Sequence, residues 1–133
     1  MSRVNVVAGI IFSDCRTKIL IAKRPQHLHK GGFWEFPGGK VEANETEVCA
    51  LARELKEELN VEFTSAKPFY TLNFDYPDKQ VCLSFWSVFD VLNQHAIEGL
   101  EGQEWSWVEL SNLDDYEFPE ANQVILERLL TPH

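Results

Sequence analysis

The period of hydrophobic and polar positions changes several times along this chain, and each change marks a predicted element. Residues 4–12 and 18–24 are dense in apolar side chains and are separated by Ser13-Asp14-Cys15-Arg16-Thr17, which predicts two strands joined by a polar turn. Residues 26–32 are polar and close on Gly31-Gly32, as a loop would. Phe33-Trp34-Glu35-Phe36 predicts a short aromatic strand, stopped by Pro37-Gly38-Gly39. Residues 63–74 and 81–92 predict two strands about the turn Tyr76-Pro77-Asp78-Lys79. A further short strand is expected over residues 104–108, where Trp105 and Trp107 alternate around Ser106. Pro119 then opens a helix that runs to about Leu130. The order β-β-β-α-β-β-β-α predicts an α+β fold with helices packed on a mixed sheet.

The remaining segment, residues 45–59, has helical spacing. Val48, Leu51, Ala52, Leu55 and Leu59 are expected to form its apolar stripe. Asn44 is the expected N-cap, with Glu47 completing a capping box. Asn60 is the expected C-cap, because Asn tolerates the left-handed conformation there second only to Gly, so Asn60→Gly is expected to be neutral or slightly stabilising. Glu54, Glu57 and Glu58 share another face, within an arc of roughly 100°. Like charges so close destabilise a helix, and a cation would relieve them. A hard divalent cation such as Mg²⁺ takes oxygen ligands and commonly shares its shell with phosphates. The ordinary alternative is a solvated acidic face with Arg53 and Lys56 as partial partners.

Composition narrows the function. The chain has 133 residues, 44% hydrophobic and 25% charged, which suits one globular domain over residues 1–133. A net charge of −9 argues against a polynucleotide partner, since no basic face is visible. An acidic protein can still take a small polyanion through divalent metal. No apolar run is long enough to span a bilayer, and the N-terminal residues lack the order of a secretion signal. Cys15, Cys49 and Cys82 are odd in number and scattered, so neither a disulfide framework nor a zinc site is suggested, and a reducing cytoplasm is expected. His27, His29, His95 and His133 are expected to be solvated.

The spacing of the acidic helix is more specific than its charge. Gly39, Glu45, Arg53-Glu54-Leu55, Glu57-Glu58 and Val61 stand as G-x5-E-x7-R-E-L-x-E-E-x-N-V. This resembles the Nudix box, G-x5-E-x7-R-E-U-x-E-E-x-G-U with U aliphatic, departing at one fixed position, where Asn60 replaces glycine at a helix C-cap. The likeness extends to Val7-Ala8-Gly9-Ile10-Ile11, Ala22-Lys23-Arg24, Trp34-Glu35-Phe36-Pro37-Gly38-Gly39-Lys40, Tyr76-Pro77-Asp78 and Phe118-Pro119-Glu120-Ala121-Asn122. Over nearly its whole length the chain resembles the MutT branch of the Nudix hydrolases, which act on 8-oxo-dGTP.

That resemblance implies a Nudix fold, a mixed β-sheet sandwiched between α-helices. It implies a Mg²⁺-dependent pyrophosphohydrolase, Mn²⁺ being a possible substitute, in which water attacks the β-phosphorus of a nucleoside triphosphate and releases a monophosphate and pyrophosphate. Glu54, Glu57, Glu58, Glu101 and the Gly38 carbonyl would bind metal, and Glu54 or Glu101 would orient or deprotonate the water. Glu45 and Arg53 would support those carboxylates. Arg24, Phe36 and Asn122 would bind the nucleotide, an Asn amide being able to read a purine edge. Each has an ordinary alternative: an exposed loop acid for Glu101, a strand-end cation for Arg24, core packing for Phe36, a first-turn helix residue for Asn122. Tyr76, Val81 and Trp86 would either line the base pocket or pack. A monomer with no membrane partner is expected. Two other functions stay open: a sibling Nudix enzyme for CTP or modified pyrimidine triphosphates, and a non-catalytic nucleotide-binding module, against which the intact Glu54, Glu57 and Glu58 stand.

Overall fold

The computed structural model describes residues 2–24 and 32–130. Among the described residues, seven strands form one mixed sheet: β1 (Ser2–Phe12), β2 (Lys18–Lys23), β3 (Trp34–Glu35), β4 (Gly38–Lys40), β5 (Phe63–Tyr76), β6 (Lys79–Val91) and β7 (Trp105–Glu109). Its principal order is β3-β2-β1-β6-β5, with β4 beside β1 and β7 beside β2. The β1–β6 pair is parallel, in register from Ser2↔Lys79 to Ile11↔Val88, and the other pairings are antiparallel. A register shift between Pro68 and Tyr70 interrupts β5, where proline cannot donate to the ladder. Helices α1 (Glu47–Leu59) and α2 (Gln123–Leu130) cover opposite faces.

Alternation along the strands builds two cores. Val7 and Ile11 of β1, with Leu20 and Val88, pack beneath Leu51, Leu55 and Leu59 of α1. Ala8 and Ile10, with Ile19, Ile21 and Phe85, pack beneath Ile125 and Leu126 of α2. Truncating a fully buried leucine such as Leu51 or Leu55 to alanine costs about 2–5 kcal/mol. Gly9 lets α1 approach β1 closely: a Cβ there would lie 3.3 Å from side-chain carbons of both Leu51 and Val88.

Three expectations need correction. Pro37-Gly38-Gly39 does not stop the sheet, because Gly38 and Gly39 pair with Ala8 and Val7 as β4. Thr46, not Asn44, caps α1, accepting a hydrogen bond from the Cys49 amide at 3.2 Å. Asn44 is left-handed at φ 67°, and Glu47 accepts from Trp86 Nε1 at 2.9 Å instead of closing a capping box. The buried face of α1 is Ala50, Leu51, Leu55 and Leu59, whereas Val48 and Ala52 are exposed. At 100° per residue that buried arc runs through Glu54 and Glu58. The helix therefore turns part of its acidic face toward β4. Asn60 does close α1 in the left-handed region, at φ 56° and ψ 37°.

Candidate active site

Arg53 is the hub of the acidic helix. Its Nε and Nη2 donate to both carboxylate oxygens of Glu45, at 2.8 and 2.9 Å, a bidentate pair. Nη1 donates to Glu54 at 2.9 Å and to Glu57 at 3.4 Å, and Nη2 also donates to the Lys40 carbonyl at 3.1 Å. One guanidinium thus ties α1 to β4 and to the intervening loop. The Arg53 hydrogen bond, together with the Glu42 amide, holds the Glu45 carboxyl down at about 2. The same bond to Glu45 raises the pKa of Arg53.

Glu58 has different surroundings. It accepts from the Gly38 amide at 3.1 Å, and burial, reinforced by the charges of Glu54, Glu35 and Glu101, pushes its carboxyl up to about 8. The last turn of α1 also anchors the loop that bears Glu101. Glu98 and Leu100 amides donate to the Leu59 and Glu58 carbonyls, at 3.0 and 2.9 Å. Helix carbonyls that would lack an intrahelical partner are satisfied this way. Gln103 Oε1 accepts from the Glu101 amide at 3.0 Å. A side chain at Gly39 would collide with the Glu54 carboxylate, so glycine is what lets β4 pass beneath it.

The expected carboxylates are thus near one another but held apart. Glu54 and Glu57 lean on Arg53, and Glu58 leans on β4. Among the described residues, no group of three or more His, Cys, Asp or Glu side chains stands ready to hold a metal ion. The donors are carboxylate oxygens, the type a hard divalent cation takes. The negative field that discourages ionisation of Glu58 is what such a cation would relieve.

Two adjoining cavities flank β3 and β4. The larger, about 330 Å³, is lined by Arg24, Phe36, Tyr76, Phe85 and Asn122 among others. The smaller, about 150 Å³, is lined by Lys23, Glu58, Glu101 and Gln103. Arg24, Glu35 and Gly38 line both. Phe36 is 5% exposed, stacked on Phe118 at 5.2 Å between ring centres and edge-on to Phe85 at 6.0 Å. It serves as core and cleft floor together. Asn122 ends the 3-10 turn Glu120–Asn122 ahead of α2, with its amide on the Pro119 carbonyl at 2.9 Å.

The structure therefore brings Arg24, Phe36 and Asn122 into one cleft, and Glu58 and Glu101 into its neighbour. Tyr76 lines the larger cleft. Trp86 is occupied by Glu47, and Val81 lines a separate polar recess with Arg3 and Asp75. His95 is exposed, and His27, His29 and His133 lie outside the described residues. Sequence reasoning passed over Glu35, Lys23 and Gln103. A two-residue strand such as β3 has no periodicity from which Glu35 could have been picked out.

Known proteins resemble this chain in sequence and fold. A family model described as NUDIX domain matches residues 7–128. The 8-oxo-dGTP diphosphatase of Proteus vulgaris is 44% identical over 92 residues, which is 69% of this chain and 81% of its own length. The CTP pyrophosphohydrolase of Escherichia coli strain K12 is 34% identical over 130 residues, 98% of this chain and 93% of its own. A solved structure of MutT, described for Aliivibrio salmonicida and Vibrio cholerae, is 40% identical with a TM-score of 0.84, covering 97% of this chain and 98% of that one.

Proposed function

The chain belongs to the NUDIX domain family, and from that membership we propose that this hydrolase converts 8-oxo-dGTP to 8-oxo-dGMP and pyrophosphate with the help of a divalent cation. The observation that carries the reading is the pair of adjoining cavities. A half-buried cleft with an aromatic floor and an amide, Phe36 and Asn122, abuts a pocket of carboxylates, with Arg24 lining both. A nucleotide has the same plan, an apolar base with a polar edge joined to a polyanion.

Glu54, Glu57, Glu58, Glu101 and the Gly38 carbonyl would hold the cation, magnesium or in substitution manganese. When bound, it neutralises phosphate charge and lowers the pKa of a water molecule. The chain's own residues supply the rest. Arg53 orients Glu54 by its 2.9 Å hydrogen bond, with Glu45 holding the guanidinium in turn. Glu54 or Glu101 orients the water that attacks the β-phosphorus and accepts its proton. No covalent intermediate on the protein is required. Arg24 meets the phosphates, Phe36 supports the base and Asn122 reads its edge.

Oxidation turns the guanine N7 into a donor and adds a carbonyl at C8. A pocket that accepts from N7–H leaves normal guanine with two opposed acceptors, and each unpaired buried polar group costs roughly 1–3 kcal/mol. The test is pyrophosphate release from 8-oxo-dGTP, dGTP, dCTP, dTTP and CTP with magnesium. A kcat/KM for 8-oxo-dGTP about a hundredfold above that for dGTP is expected, from two such mismatches. Asn122→Ala should erase most of that ratio while hydrolysis persists. Equal values for oxidised and normal dGTP would sink the assignment. The 34% identity to a CTP pyrophosphohydrolase supports a second reading, a pyrimidine triphosphate substrate, which a preference for CTP or dCTP in the same panel would select.

A further inference from the structure

Arg24 stands at the neck of the hairpin between β2 and β3. Its amide donates to the Phe33 carbonyl at 2.8 Å, and its carbonyl accepts from the Gly32 amide at 3.0 Å. The backbone is thus pinned on both sides. Across the hairpin, Glu35 is paired with Ala22, and its carboxylate lies 3.4 Å from Arg24 Nη1. Both side chains are largely covered, at 35% and 28% exposure for Arg24 and Glu35. Both line the two cavities, and the phosphate-side cavity is otherwise rich in carboxylates. Another acid beside Glu58 and Glu101 opposes polyanion binding unless it does something else. Burial raises the Glu35 pKa, and the charge and hydrogen bond of Arg24 act against that rise.

We propose that Glu35 is a positioning residue that holds the Arg24 guanidinium at the junction of the two cavities, where it meets the phosphate chain of the substrate. The inference rests on the reading that the smaller cavity takes phosphates. In this role Glu35 acts through Arg24. Its role is to keep the guanidinium from turning toward Glu58 and Glu101, where it would compete with the cation, or out into solvent.

The test is a double-mutant cycle with Glu35→Gln and Arg24→Met, read in steady-state kinetics on 8-oxo-dGTP and in calorimetric titration with pyrophosphate plus magnesium. Glu35→Gln should raise KM about tenfold with kcat within about threefold, since the loss is of uniform binding. The pyrophosphate Kd should rise by a similar factor. The double variant should be no worse than Arg24→Met alone, because contacting residues that act as a unit are not additive. Unchanged melting temperatures across the four proteins would separate positioning from a structural role. Losses that multiply in the double variant would overturn the proposal, as would a Glu35→Gln defect confined to kcat. A wild type that hydrolyses none of the triphosphates defeats the reading of the site, while the pyrophosphate titration still judges Glu35.

Discussion

Asn60 occupies a left-handed position, and its side chain also bridges to another segment, Nδ2 donating to the Ala96 carbonyl at 3.0 Å. These effects oppose each other in Asn60→Gly. Glycine removes the steric cost of the left-handed backbone, yet it gives up the bond to Ala96 and loosens the unfolded chain. A net destabilisation below about 1 kcal/mol is expected, in place of the neutral or slightly favourable effect that a bare C-cap predicts. Asn60→Val loses the bond and strains the backbone, and should cost about 2 kcal/mol or more. Chemical denaturation of the three proteins checks both, and a stabilised glycine variant would show that the Ala96 bond contributes nothing. Gly39 offers a sharper contrast. An alanine Cβ there would meet the Glu54 carboxylate, a movable group, whereas at Gly38 it would meet the Val7 carbonyl, which is backbone. Gly39→Ala should therefore fold with a melting temperature close to wild type but require more magnesium for half-maximal activity. Gly38→Ala should lose stability outright. An unaltered magnesium requirement in Gly39→Ala would mean that the position of Glu54 is immaterial to the metal.

At the scale of elements, α1 and β4 act as one unit through Arg53 and Glu45, and acid should uncouple them. The Glu45 carboxyl titrates at about 2 in the fold against an ordinary 4.5. A group with a depressed folded pKa stabilises above its unfolded value and loses that contribution as pH falls toward the folded one. Stability from this pair should thus be complete above about pH 4.5 and decline between 4.5 and 2. Glu45→Gln should lower stability at neutral pH and flatten the acid limb in that window, measured by thermal melts across pH. A variant as stable as wild type at pH 7 would count against the pair. This unit also marks where reading the sequence worked and where it stopped. Helical spacing put Glu54, Glu57 and Glu58 on one face, because a helix repeats and its faces can be counted, while Glu45 and Arg53 were pointed to by the resemblance to the Nudix box. Spacing could not tell that the buried arc runs through Glu54 and Glu58. That depends on β4, whose Pro37-Gly38-Gly39 reads locally as a stop and becomes a strand only when β1 lies beside it. Thr46 displaced Asn44 as the cap for a similar reason: both are good caps, and the loop geometry chose between them.

For the whole molecule, the strand order β3-β2-β1-β6-β5, with one parallel pair, was not legible from alternation, which fixes faces but not neighbours. The pairing of two cavities across β3 is a product of that order, and Glu35 became visible only with it. Charge is the other global property. A net −9 repels itself, and the chain concentrates part of that charge where Glu54, Glu35 and Glu101 act on Glu58. A cation that binds this cluster in the folded state and not in the unfolded chain must stabilise the fold. Magnesium at ten times its Kd should add about 1.4 kcal/mol, or roughly 5 °C in melting temperature for a domain of this size. Monovalent salt at equal ionic strength screens surface charge without coordinating, and should give a clearly smaller shift. Glu57→Gln removes one anion from an exposed position, so the fold should survive with its cation-free melting temperature nearly unchanged. Its magnesium-induced shift should shrink, and its turnover at limiting magnesium should fall by orders of magnitude. The two readouts are independent, since the melting shift needs no substrate. A wild type that gains no more from magnesium than from matched sodium chloride, or a Glu57→Gln variant with the full shift, would remove the metal from this helix whatever the activity shows.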